Sequence, residues 1–259
     1  MRSKIEESSF EKPEAKEPQA GTLVRLKRTI HVKEEKATRM DEQRVDARFY
    51  NNFDSSMLMK LKSFGKLVIG ITSANRSEGK TLVAANLAVS LALSKQAKIV
   101  LVDLNIANPD LHNVFGVPLA PGLLEAFSDL SVSVCTTPLK NLCVLPVGNA
   151  AENPLAALQL GANGSGLNHH DRGVSPDQLA AFRDITYSLA QEFDFVIVDL
   201  PSVEEASWTT LFTKQLDGVI VVVSAGKSKQ GEINKLMNLL GQDLVLGFVF
   251  NRASINELA

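Results

Sequence analysis

Residues 70–88 read GITSANRSEGKTLVAANLA, and the turn in their middle decides how the rest of the chain is read. Apolar or small residues lead up to Ser73, a polar stretch follows, and Gly79, Lys80 and Thr81 open a run of helical character. The phosphate-loop pattern is G-x-x-x-x-G-K-[ST]. Gly79, Lys80 and Thr81 meet its second half, while Ala74 stands at the first glycine position. Such a loop works because successive backbone N–H groups at a helix N-terminus wrap an anion, and the helix dipole favours it. Gly79 permits close backbone approach, Lys80 reaches the phosphates, and the Thr81 hydroxyl is placed to ligate Mg²⁺. Alanine is tolerated at position 74 if its φ stays negative, since only a positive φ demands glycine.

Outward from this turn, the chain from Lys66 onward alternates strand-like and helix-like runs. KLVIGIT, KIVLVDL, FDFVIVDL, GVIVVVSA and LVLGFVF are short and rich in valine and isoleucine, and their apolar residues are continuous. That texture suits strands buried on both faces of a parallel sheet. KTLVAANLAVSLALS, SPDQLAAFRDITYSLAQEF and KQGEINKLMNLLG lie between them and read as helices. The second opens on Ser175 as N-cap, with Pro176 at the first helical position and Gln178 completing a capping box. Along it Leu179, Phe182, Ile185 and Leu189 form a core-facing stripe, with Tyr187 off it. The expected fold is therefore α/β: a doubly wound, mostly parallel sheet with helices on both faces.

Residues 1–55 differ in texture. They mix both charge signs with proline and few apolar residues, and form a charged, largely flexible segment before a phosphate-loop domain over 56–259. One or two short helices are expected within 22–49. GANGSGLNHHDRGV (161–174) has no periodicity and reads as an exposed loop. Its neighbouring His169 and His170 lack the carboxylate or cysteine pattern of a metal site.

Composition narrows the function classes. The chain has 259 residues, 45% hydrophobic and 22% charged, which are the proportions of an ordinary globular protein. A net charge of −2 gives no global attraction for nucleic acid, so no nucleic-acid partner is expected. Cys135 and Cys143 lack C-x-x-C spacing, which fits a reducing compartment and not a zinc or iron–sulfur site. No apolar run approaches the roughly 20 residues that cross a bilayer, and the N-terminal residues carry charges where a secretion signal is apolar. The expected location is the cytoplasm, with no transmembrane segment of the chain's own.

Two further strands end in aspartate, Asp103 in KIVLVDL and Asp199 in FDFVIVDL. Ligands of open α/β sheets bind outside the carboxyl ends of the strands. A carboxylate there can hold the water shell of Mg²⁺ or orient a nucleophile.

The ordered series SANRSEGKTLVAANLA, VLVDLNIANPDLHNVFG, LPVGNAAENPLAAL, FDFVIVDLPS, DGVIVVVSAGKS and VLGFVFN resembles the bacterial tyrosine kinases of capsule and exopolysaccharide assembly. The resemblance spans roughly residues 66–252. It implies ATP and Mg²⁺ as cofactors, with Lys80 and Thr81 in the Walker A motif, Asp103 in the second Walker motif (A′) and Asp199 in Walker B. Lys80, Asp103 and Asp199 would be catalytic. The nucleotide would lie on Ala74, Asn75, Arg76, Ser77, Glu78, Gly79, Lys80, Thr81, Leu82 and Asn251, and the metal near Thr81, Asn105 and Asp199. His112 and Phe115 fall in a stretch that follows the A′ motif in that family. A membrane-embedded polysaccharide-export or chain-length protein is the implied partner, with peripheral attachment at the inner membrane face through it, and self-association into a homo-oligomer.

The departures are specific. The family's A′ motif reads D-x-D-x-R, and here Asn105 and Ala107 replace the second Asp and the Arg. Asparagine keeps a carbonyl oxygen but has no negative charge to oppose Mg²⁺. A C-terminal tyrosine cluster is absent from NRASINELA, and the only tyrosines are Tyr50 and Tyr187. The family's E-x-x-R-x-x-R signature is degenerate in DEQRVDAR, where Asp41 and Arg44 fit and Arg48 falls one residue late. Two other readings stay open: a catalytically weak, ATP-binding regulator of an export protein, and a partitioning or positioning ATPase. Against the second, Asn75 stands where those ATPases carry a signature lysine.

Overall fold

Alternate residues of each central strand face opposite ways, and this period of two divides the interior into two cores. Ile99 and Leu101 join one, Val100 and Val102 the other. The computed structural model describes residues 27–34, 40, 63, 67–93, 97–149 and 174–252. Its strands are β1 (Thr29–Lys33), β2 (Leu67–Ser73), β3 (Ile99–Asp103), β4 (Ser131–Thr136), β5 (Leu142–Leu145), β6 (Phe195–Asp199), β7 (Gly218–Ser224) and β8 (Val245–Asn251). The α-helices among the described residues are α1 (Lys80–Leu93), α2 (Leu111–Phe115), α3 (Leu123–Ser128), α4 (Pro176–Glu192), α5 (Thr209–Thr213) and α6 (Gln230–Leu240).

The eight described strands form one sheet in the order β1-β4-β5-β3-β6-β2-β7-β8. Every described pairing is parallel except β4 with β5. Strands β3, β6 and β7 are buried along their whole length, as continuous apolar runs require. Helix α1 packs on one face together with α2, and α3, α4, α5 and α6 cover the other. The doubly wound expectation holds.

Local chemistry accounts for the helices. In α1, residues 83–92 are buried all round, and the two polar side chains among them, Asn86 and Ser90, donate to backbone carbonyls one turn back, Leu82 O and Asn86 O. Helix α4 begins as its sequence requires: Gln178 N donates to Ser175 Oγ at 3.2 Å, and Ser175 N donates to Gln178 Oε1 at 2.8 Å. Phe182, Ile185 and Leu189 are fully buried on its inner stripe, and Phe182 meets Phe212 of α5 edge-on.

Strand β1 corrects an expectation. One or two short helices are expected within 22–49; where that stretch is described, Thr29–Lys33 is instead a strand that pairs in parallel with β4 and closes one edge of the sheet. The remaining positions of 22–49, apart from 27, 28, 34 and 40, lie outside the described residues. Its residues TIHVK are mostly β-branched, a composition that favours a strand wherever an edge is available. The sheet thereby draws in residues N-terminal to position 56. Tyr50, the DEQRVDAR stretch, and His169 and His170 lie outside the described residues. Among the described residues, no helix is long and apolar enough to cross a membrane, and no three His, Cys, Asp or Glu side chains cluster as a metal site.

Candidate functional site

At the C-terminal end of β2 the chain leaves the sheet at Ser73, turns through 74–79, and enters α1 at Lys80. Two residues of this turn have left-handed backbone, Ser77 (φ 57°) and Gly79 (φ 94°). The second explains its residue type twice over, because a side chain at Gly79 would also collide with the Asn251 amide. Val83 N donates to Gly79 O at 2.9 Å, so the helix ladder begins on the glycine. The free N–H groups of the first turn of α1 therefore face the turn.

Neighbouring elements hold this loop. Glu78 is buried and accepts from Asn75 N at 3.0 Å and from the Ser228 hydroxyl. Asn75 Nδ2 donates to Glu232 Oε2 of α6 at 2.8 Å. Asn251 Nδ2 donates to Glu78 O at 2.9 Å, and Arg252 N donates to Asn251 Oδ1 at 3.0 Å. Asn251 thus lies against the loop as a brace, with both ends of its amide engaged by protein. On the other flank, Val203 N donates to Ser73 O and Glu204 N to Ala74 O.

The charged centre lies beside the loop. Asp103 and Asp199 are register partners at the C-terminal ends of β3 and β6, and both are fully buried. Asp199 Oδ2 accepts from the Thr81 hydroxyl at 2.6 Å. Asp103 accepts from Asn105 N at 3.0 Å and Leu111 N at 3.3 Å, so both its oxygens organise the turn that leads into α2. Burial, then the neighbouring Asp199, push the Asp103 carboxyl well above the usual range. Burial raises Asp199 to about 7, against the Thr81 bond and the Lys80 charge, which lower it. Two like charges in one dry site cannot both ionise freely.

Lys80 is 5% exposed, and its Nζ lies 3.5 Å from Glu205 Oε2. Arg76 Nε lies 2.7 Å from Glu205 Oε1. Burial alone would raise Glu205, but the Ser202 hydroxyl and N–H, Lys80 and Arg76 outweigh it and hold this carboxylate below its usual range.

All the residues from Ala74 to Leu82 therefore lie in one turn and the first turn of α1, with Asp199 bonded to Thr81 and Asp103 beside Asp199 on the next strand. Sequence reasoning missed Glu204, Glu205, Ser228 and Glu232. The two adjacent glutamates just past the Asp199 strand were the one signal in the sequence.

The oxygens present suit a hard cation. Asp199 Oδ1 and Asn105 Oδ1 are buried and have no hydrogen-bond partner, a costly condition that a cation or its water would relieve. They and the Thr81 hydroxyl, which lies against Asp199, are oxygen donors of the kind Mg²⁺ takes. The left-handed Gly79, the start of α1 and Lys80 fit a phosphate chain.

No protein-family model matches the chain. The tyrosine-protein kinase CpsD of Streptococcus pneumoniae serotype 4 is 31% identical over 195 residues, covering 73% of this chain and 77% of CpsD. The succinoglycan biosynthesis transport protein ExoP of Rhizobium meliloti is 28% identical over 198 residues, covering 74% of this chain and 23% of ExoP. Among solved structures, the VpsO kinase domain superposes with a TM-score of 0.64 at 22% identity, covering 82% of this chain and 97% of that domain.

Proposed function

We propose that this chain, which belongs to the family of bacterial tyrosine-protein kinases, binds ATP on the loop from Ala74 to Leu82 and transfers its γ-phosphate to a protein tyrosine in capsule or exopolysaccharide synthesis and export. The observation that carries this reading is the Thr81–Asp199 hydrogen bond beside a buried Lys80 at the start of a helix. Phosphoryl transfer needs positioning and charge stabilisation more than covalent chemistry, and these groups supply both.

In the reaction, the tyrosine oxygen bonds to the γ-phosphorus, the bond to the β–γ bridging oxygen breaks, and ADP leaves. Lys80 meets the phosphate charge. The tyrosine proton passes to the Asp103–Asp199 pair at the strand ends beside the loop. Mg²⁺, when bound near Thr81, Asn105 and Asp199, would offset phosphate charge. Gly79 and the N–H groups at the start of α1 orient the phosphates. The work is done in the cytoplasm, in contact with a membrane-embedded export partner and other copies of the chain.

One observation favours a second reading, an ATP-binding regulator with weak catalysis. Asp103 spends both oxygens on backbone N–H groups, and the second A′ position is an amide. Incubation with labelled ATP and Mg²⁺, alone and with the cytoplasmic segment of a membrane partner, separates the readings by mass spectrometry. Phosphotyrosine supports the kinase, with Tyr50 expected ahead of Tyr187. Phosphate release without labelled protein supports a positioning ATPase, and ATP binding with neither supports the regulator.

A further inference from the structure

The two cations of the phosphate loop, Lys80 and Arg76, converge on one carboxylate. Arg76 Nε is 2.7 Å from Glu205 Oε1 and Lys80 Nζ is 3.5 Å from Glu205 Oε2. The carboxylate is also anchored behind. Ser202 N and Oγ donate to Oε2 at 3.1 and 2.7 Å, and Glu205 N donates back to the Ser202 hydroxyl at 3.3 Å. This reciprocal pair fixes Glu205 on the 202–205 turn, and the hydrogen bonds of Val203 and Glu204 to Ser73 and Ala74 fix that turn against the loop.

The two ion pairs are unequal. The Arg76 side chain is 61% exposed, and a pair so wet contributes little. The Lys80 and Glu205 side chains are 6% and 11% exposed, so water screens their attraction far less. A lysine ammonium is a compact point charge, and a polyphosphate arriving at Lys80 must take it from Glu205.

We propose that Glu205 is a positioning residue that acts through Lys80: it holds this lysine until a nucleoside triphosphate takes it, and so lowers the affinity of the loop for nucleotide. The inference rests on the reading of residues 74–82 as a phosphate loop. A turn-capping role alone would need no charge. The amide oxygen of glutamine accepts from Ser202 equally well, whereas holding a lysine away from phosphate needs the anion.

Isothermal calorimetry with Mg-ATP on the full chain tests this. Glu205→Gln keeps the shape and the Ser202 bonds and removes only the charge. It is expected to bind on the order of 3- to 10-fold tighter than wild type. In the Lys80→Met background the same change is expected to give no gain. Unchanged or weaker binding by Glu205→Gln overturns the proposal, and so does a gain of full size in the Lys80→Met background. Should Glu205→Gln fail to fold, Ser202→Ala, which loosens the anchor, is expected to give a smaller gain in the same direction, and its absence is equally decisive. A wild-type chain that binds no ATP overturns the phosphate-loop reading itself, and this proposal with it. Binding by wild type that Lys80→Met weakens, with Glu205→Gln neutral, overturns only the role of Glu205.

Discussion

Thr81 donates a 2.6 Å hydrogen bond to Asp199 Oδ2, tying the first turn of α1 to the C-terminal end of β6. Removing the hydroxyl leaves a buried carboxylate with neither oxygen bonded, since Asp199 Oδ1 already lacks a partner. Thr81→Ala is expected to cut the gain in ATP affinity that Mg²⁺ provides by about tenfold, with metal-free binding little changed. Calorimetry with and without Mg²⁺ reads the difference. A wild-type Mg²⁺ gain would remove Thr81 from the metal site.

Asp199 makes stability depend on pH. Burial raises its carboxyl to about 7 from an ordinary 3.8, so the folded chain holds this proton more tightly than the unfolded chain. The stability linked to it is complete below about pH 4 and is lost as pH rises through about 7. Asp199→Asn keeps an acceptor for Thr81 and removes the titration. Free of nucleotide, that variant is expected to exceed wild type by on the order of 2 kcal/mol near pH 8, with the gap closing toward about pH 4. Denaturant unfolding across that range checks it, and a gap of constant size would contradict a raised Asp199.

Asn105 is buried, and its Oδ1 has no partner. Asn105→Asp places a third carboxylate near Asp103 and Asp199. The nucleotide-free protein is expected to lose on the order of 1–2 kcal/mol, and the rise in melting temperature on adding Mg-ATP to become larger than in wild type. Phosphotransfer or ATP turnover is expected to increase. Loss of both activities, with the fold intact, would mean that the site is built around asparagine.

Gly79 has a φ of 94° and no room for a side chain beside Asn251. Gly79→Ala is expected to destabilise the fold by about 1–3 kcal/mol and to abolish detectable ATP binding. Adding Asn251→Ala relieves the collision but leaves the backbone strain, so only part of the stability should return. Full recovery in the double variant would show that the left-handed backbone at residue 79 carries no cost.

Much of the candidate site was legible because it is local. The turn from Ala74 to Thr81 and the strand ends at Asp103 and Asp199 are each contained in a few consecutive residues. What the rest of the chain does to them was not legible. Asn251 was expected among the nucleotide contacts on the strength of the resemblance, and the fold gives its amide to Glu78 O and Arg252 N. Glu78 bonds Ser228 across 150 residues of chain.

The sequence by itself determined the class of fold. Apolar runs such as IVLVD and FVIVD can bury both faces only inside a covered sheet, and the Ser175–Gln178 capping box starts a helix from bonds between near neighbours. Only the tertiary structure decided the strand order, the place of Thr29–Lys33 at the sheet edge, the antiparallel β4–β5 pair, and the meeting of Lys80 with Glu205. The physical reason is the same in each case. Periodicity and caps are short-range properties of the chain, whereas strand neighbours and ion pairs depend on which distant segments the packed sheet brings together, and a single side chain such as Glu205 leaves no period behind to be read.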